Sequence, residues 1–191
     1  MYKIAVLVGS TKANSTNMKF ARALETLAIG KLAFDYIDIG SLPFYDDSLW
    51  DNPPEPVTRM KEQILAADGV LFVTPEFNRS IPGVLKNAID WPSRPYGQSV
   101  WAGMPGAIVG ATPGAIGTAV AQSHLRSIAG VLDIHLMGQP EIYFTMKPGL
   151  IDDNYLVTDD KTRAFLQGWV NKFTAYVGRF VAPQQLKIAA E

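Results

Sequence analysis

Cysteine is absent from the 191 residues, and histidine occurs only twice, at His124 and His135. Without a thiol there is no disulfide framework, thiolate zinc site, iron–sulfur ligation, thioredoxin-type chemistry or cysteine nucleophile. Two histidines lacking an H-E-x-x-H pattern are too few for a histidine-based metal centre. A G-x-S-x-G elbow for a serine hydrolase is missing as well. Nor is there an excess of either charge: 17 basic against 18 acidic residues leave a net charge of −1. That balance speaks against a nucleic-acid binder working through bulk positive charge. Long apolar runs are also missing. Ile4 to Val8 is too short for a signal-peptide core. Residues 95–125 contain no Asp, Glu, Lys or Arg, but Gly103, Pro105, Gly106, Gly110, Pro113, Gly114 and Gly117 break them up. The expectation is a cytoplasmic chain without membrane contact.

What is present is a core-forming composition, 48% hydrophobic and 18% charged, on a length that suits one domain over residues 1–191. Strand and helix patterns alternate from end to end. Apolar runs predict strands at 2–8, 69–74 and 106–111, the alternation of Phe34 and Tyr36 with Asp35 and Asp38 predicts one at 33–39, and a short fifth falls within 134–144. Helical spacing predicts helices at 16–29, 55–67, 81–91, 116–132 and 159–180. The last carries Phe165, Trp169, Phe173, Tyr176 and Phe180 at steps of four, four, three and four, with Asp159 and Asp160 at its positive end. Alternation with strongly apolar strands predicts an α/β fold with a parallel sheet. The aspartate pairs at 46–47, 152–153 and 159–160 fit solvated loops and a helix start better than a metal site.

In open parallel sheets ligands bind beyond the carboxyl ends of the strands, so the loops there matter most. After the first strand, residues 9–17 carry six short hydroxyl or amide side chains and one cation, Lys12. Followed by a helix, this loop either wraps a phosphate or is an ordinary turn capped by Ser15 or Thr16. Its spacing matches neither a P-loop nor G-x-G-x-x-G. After the third strand, Pro75 and Pro82 bracket a stiff segment, with Ser80 as a candidate helix cap. This segment either lines a flat heteroaromatic ring or is a rigid surface connection. After the fourth, Thr112-Pro113-Gly114 permits close backbone approach or is a capped turn. Taken together, the three loops outline a phosphate site beside a planar-ring site.

Three segments also resemble a known family. They are Gly9-Ser10 with Ser15-Thr16-Asn17, Leu42-Pro43-x-Tyr45-x-Asp47, and the block Thr74-Pro75-Glu76-Phe77-Asn78-x-Ser80-x-Pro82-Gly83-x-Leu85-Lys86-Asn87-Ala88-Ile89-Asp90-Trp91. They are similar to the NAD(P)H-dependent FMN reductases, most closely the quinone/chromate (azo-dye-reducing) branch, as are His124-Leu125-Arg126 and Pro140-Glu141. The resemblance covers about the first three-quarters of the chain. It implies a flavodoxin-like fold, a five-stranded parallel sheet of order 2-1-3-4-5, with FMN at the switch point.

By the same resemblance, Ser10, Lys12, Ser15, Thr16 and Asn17 hold the FMN phosphate. Pro75, Glu76, Phe77 and Asn78 border the isoalloxazine ring, and Thr112, Pro113 and Gly114 its far side. Three residues depart from the family pattern: Lys12 for arginine, Phe77 for tyrosine, and Arg79 for a frequent aromatic residue. The implied activity is hydride transfer from NAD(P)H through FMN to a quinone, chromate, azo compound or free flavin. No side chain is required as acid, base or nucleophile. A homodimer or homotetramer is implied. The other readings are a flavodoxin-type electron carrier without NAD(P)H activity and a non-redox nucleotide-binding regulatory domain.

Overall fold

In the computed structural model the backbone is described for residues 1–188 and the side chains for residues 1–181; the last three residues of the expected domain lie outside it. The apolar runs pair in parallel. β1 (Tyr2–Val8) lies between β2 (Leu32–Tyr36) and β3 (Gly69–Val73), and β3 pairs with β4 (Pro105–Thr112). Beyond β4 lie β5 (His135–Leu136) and β6 (Ile142–Thr145), both parallel to it, giving the order β2-β1-β3-β4-β5. The expected fifth strand is thus two pieces. Pro105 pairs with His135 but Val109 with Ile142, so three extra residues interrupt the ladder.

Strand alternation divides the core into two layers. Ile4, Val6, Val8, Leu71, Val73 and Val109 face α1 (Thr16–Leu27) and α5 (Asp160–Ile188), which bury Phe20, Leu24, Trp169, Phe173 and Val177. Ala5, Leu7, Val70, Phe72 and Ile108 face α2 (Glu55–Leu65), α3 (Gly83–Asp90) and α4 (Ala119–Val131). Among the described residues no helix is long and apolar enough to cross a membrane.

Three local expectations are corrected. The buried stripe of α5 is Leu166, Trp169, Val170, Phe173, Val177 and Val181, while Phe165 is exposed and Tyr176 and Phe180 lie at its margin. Aromatic spacing alone misplaced the stripe because the aliphatic residues between the rings complete the apolar face. α4 starts at Ala119 instead of residue 116, because Gly117 and Thr118 hold positive φ values of 62° and 67°. The reason at Gly117 is close approach: a Cβ there would lie 2.4 Å from the Tyr143 carbonyl carbon. Pro82, not Ser80, occupies the cap position of α3, and its side chain makes no capping bond.

Candidate functional site: three loops at one sheet edge

Neighbouring strands deliver the three loops side by side. The Gly9 N–H donates to the Val73 carbonyl and the Thr74 N–H to the Val109 carbonyl, each at 2.9 Å, so β1 and β3 end in step while β4 runs three residues further, to Thr112. A Cβ on Gly9 would lie 3.1 Å from both Leu85 and Pro75, so the first loop passes close against the second.

In the first loop the Ser15 hydroxyl caps α1, accepting from the Met18 N–H at 3.2 Å. The N–H groups of Thr16 and Asn17 belong to the first turn and have no intrahelical acceptor. They and the helix's partial positive charge suit an anion. Ser10 is partly exposed and its hydroxyl accepts from the Lys12 N–H at 3.4 Å. Lys19 pairs with Asp153 at 3.5 Å, whereas Lys12 has no anionic partner among the described residues. The capped turn is therefore present, and it leaves the Thr16 and Asn17 N–H groups without intrahelical acceptors.

The Asn17 side chain is committed within the fold. It is only 3% exposed, and its carboxamide clasps one residue of β4. Its Nδ2 donates to the Ala111 carbonyl and its Oδ1 accepts from the Ala111 N–H, both at 2.9 Å. Both ends of the amide are committed, so what Asn17 presents toward an anion is its backbone N–H.

In the second loop Phe77 and Ser80 exchange backbone bonds at 2.9 Å around Asn78 (φ 49°) and Arg79 (φ 62°), which makes a type I′ turn. Asparagine tolerates that geometry and arginine does not do so readily. The N–H groups of Glu76, Asn78 and Arg79 are without acceptors among the described residues, and Phe77 is 56% exposed. Glu76 is expected to border a ring, yet its side chain is 12% exposed and turned toward α4. Its Oε2 accepts from the Val120 and Ala121 N–H groups at 3.0 and 3.2 Å, capping a helix whose own cap residue, Thr118, makes no such bond. Ser80 meets His124, Oγ to Nδ1, at 3.1 Å.

In the third loop Thr112 Oγ1 accepts from the Gly114 N–H at 3.3 Å, and Thr145 Oγ1 donates to the Gly114 carbonyl at 3.3 Å. Pro113 and Gly114 are exposed.

Two clefts flank the first loop. One, of about 400 Å³, is lined by Ala13, Asn14, Ser15 and Thr16 against Met146, Asp153 and Tyr155. The other, of about 450 Å³, lies between Ser10, Thr11 and Lys12 and the segment carrying Tyr36 and Asp38. Pro75 to Asn78 and Thr112 to Gly114 line neither cleft; they follow the adjacent strands β3 and β4. Sequence reasoning missed Met146, Asp153 and Tyr155, whose stretch reads only as a polar loop. The one signal they carry, the positive φ of 63° at Tyr155, is invisible in a non-glycine residue's name. Beside the second cleft, burial and then the Glu25 carboxylate push the Tyr36 phenol well above its ordinary range. It stays a neutral donor, bonded to Glu25 at 3.0 Å.

The donor set fits a phosphomonoester joined to a planar ring. Among the described residues there are free N–H groups and hydroxyls with one unpaired cation at the first loop, and free N–H groups beside an exposed aromatic at the second.

The NADPH-dependent FMN reductase model matches residues 2–149. The 2-hydroxy-1,4-benzoquinone reductase of a Burkholderia species is 53% identical over 92% of this chain and 96% of its own. A quinone reductase of Pseudomonas putida is 48% identical over 93% and 95%. Among solved structures, FerB of Paracoccus denitrificans, a flavoenzyme NAD(P)H:(acceptor) oxidoreductase, superposes with a TM-score of 0.92 at 43% identity, covering 94% of this chain and 99% of that one. The family match spans well over half of the sequence, and the chain belongs to the NADPH-dependent FMN reductase family.

Proposed function

We propose that the protein is an FMN-dependent NAD(P)H oxidoreductase whose acceptors are quinones. The observation that carries this is the alignment of the anion-suited first loop with the amide-bearing second loop on adjacent strands. Similarity to reductases of benzoquinones supports the acceptor class.

Bound FMN supplies a hydride acceptor and an electron donor for the quinone, chemistry that belongs to the cofactor. The chain's part is binding and tuning. Ser10, Lys12, Ser15 and Thr16, with the Asn17 N–H, hold the phosphate; Lys12 acts as a point charge, lacking arginine's forked geometry. The N–H groups of Glu76 and Asn78 stabilise negative charge at the ring edge they border. Phe77 would border the ring with an apolar side chain, and Thr112, Pro113 and Gly114 would border it from the loop after β4. None of these groups transfers a proton.

The enzyme works in the cytoplasm as a homodimer or homotetramer, with NAD(P)H and a small quinone as its partners. Equilibrium titration with FMN, followed by steady-state NAD(P)H oxidation with and without benzoquinone, tests the proposal. Saturable FMN uptake and quinone-dependent turnover are expected. FMN uptake without NADH or NADPH oxidation would make it an electron carrier, and no FMN uptake would leave a non-redox domain.

A further inference from the structure

We propose that Arg79 selects acceptors bearing an ionised oxygen next to a quinone carbonyl, the hydroxyquinones. This rests on the quinone reductase reading above and narrows its substrate class.

Arg79 is the second central residue of the turn at 77–80, on the loop whose Glu76, Asn78 and Arg79 N–H groups have no acceptor among the described residues. Its φ of 62° is a position where glycine fits without strain. Local stability does not explain an arginine there, and strained residues of this kind concentrate where a side chain has work at a ligand. The guanidinium is 64% exposed and held at one point only, Nη1 to Glu76 Oε1 at 3.3 Å. Glu76 in turn is fixed by the Val120 and Ala121 N–H groups, which already share its charge. Arg79 is therefore positioned but not saturated: its remaining donors have no partner among the described residues. His124, beside Ser80, adds no negative charge to the turn.

A hydroxyl on a quinone is conjugated through the ring to a carbonyl. It is a vinylogous carboxylic acid, ionised at neutral pH, with the charge shared between oxygens. The hydroxyl oxygen and the carbonyl oxygen beside it present two acceptors on one edge, a pattern that matches a guanidinium fork. NADPH also carries a distinctive anion, the 2′-phosphate, but at the end of the dinucleotide remote from its reacting ring. A cation on the loop that borders the reacting ring meets the acceptor. The reaction balances with one proton more than for a simple quinone: NAD(P)H and two solvent protons convert the hydroxyquinone anion to the neutral trihydroxybenzene and release NAD(P)⁺, the second proton going to the extra oxygen, which is an ordinary phenol once the conjugated carbonyl is reduced.

The test uses the FMN-loaded enzyme with benzoquinone and hydroxybenzoquinone, each driven by NADH and by NADPH. The variants are Arg79→Gln, Arg79→Lys and Arg79→Gly, the last of which suits the turn's positive φ. For Arg79→Gln and Arg79→Gly, kcat/KM for hydroxybenzoquinone should fall at least about tenfold further than for benzoquinone, chiefly through KM. Arg79→Lys should lie between. Equal losses on the two quinones would overturn the assignment, as would a changed NADPH-to-NADH preference, which would give Arg79 to the donor. Wild-type enzyme that reduces neither quinone would refute the proposed function itself, and this inference with it.

Discussion

Replacing Asn17 with alanine tests whether its carboxamide is a structural bracket or a ligand group. The side chain makes two hydrogen bonds to Ala111, both at 2.9 Å and both buried. Each net bond contributes about 1 kcal/mol, and a buried group left unpaired costs about 1–3 kcal/mol. With the Ala111 N–H and carbonyl both orphaned, the loss should be about 3 kcal/mol. In a chain of this size each kcal/mol moves Tm by about 2–4 °C, so Tm should fall by roughly 6–12 °C. Asn17→Asp should be at least as damaging, because its second oxygen faces the Ala111 carbonyl and a carboxylate takes the place of a buried amide. Ser10→Ala, whose hydroxyl makes only an exposed contact at 3.4 Å, should change stability by less than about 0.5 kcal/mol. Urea unfolding followed by tryptophan fluorescence, with and without excess FMN, separates stability from ligand linkage. An Asn17→Ala protein within about 0.5 kcal/mol of wild type would show that the bracket contributes nothing.

Glu76→Ala should unprotect the Val120 and Ala121 amides selectively in hydrogen exchange and cost about 1–2 kcal/mol, with Glu76→Gln milder; unchanged exchange at α4 would contradict the cap. Tyr36 supplies a pH signature. Its phenol is raised by burial and by Glu25, so above about pH 10 the unfolded chain loses a proton that the folded chain keeps, and stability falls as pH rises. Tyr36→Phe should flatten that alkaline fall in urea midpoints, and an identical slope would remove Tyr36 as its source.

Much of the fold was legible because parallel strands buried on both faces read as apolar runs, as in Ile4 to Val8 and Val70 to Val73. Backbone conformation was less legible. Nothing in the names Thr118, Arg79 or Tyr155 announces a positive φ, which tertiary contacts impose, so the start of α4 and the turn at 77–80 escaped detection. The candidate loops were found by composition, but side-chain commitments were not. Asn17 and Glu76 have the polarity of ligand groups, yet one is spent on Ala111 and the other on α4, partners 94 and 44 residues away in sequence. Pairings at such distance leave no local pattern.

The central claim is that one bound FMN serves both halves of the reaction. Rapid mixing under anaerobic conditions tests it most directly: the FMN-loaded protein is mixed first with NADH or NADPH and then with benzoquinone. The expected result is loss of the oxidised flavin's visible absorbance with the nicotinamide and its full return with the quinone, each at least as fast as steady-state turnover. Absorbance that neither nicotinamide bleaches, or that the quinone restores more slowly than turnover, would contradict the account.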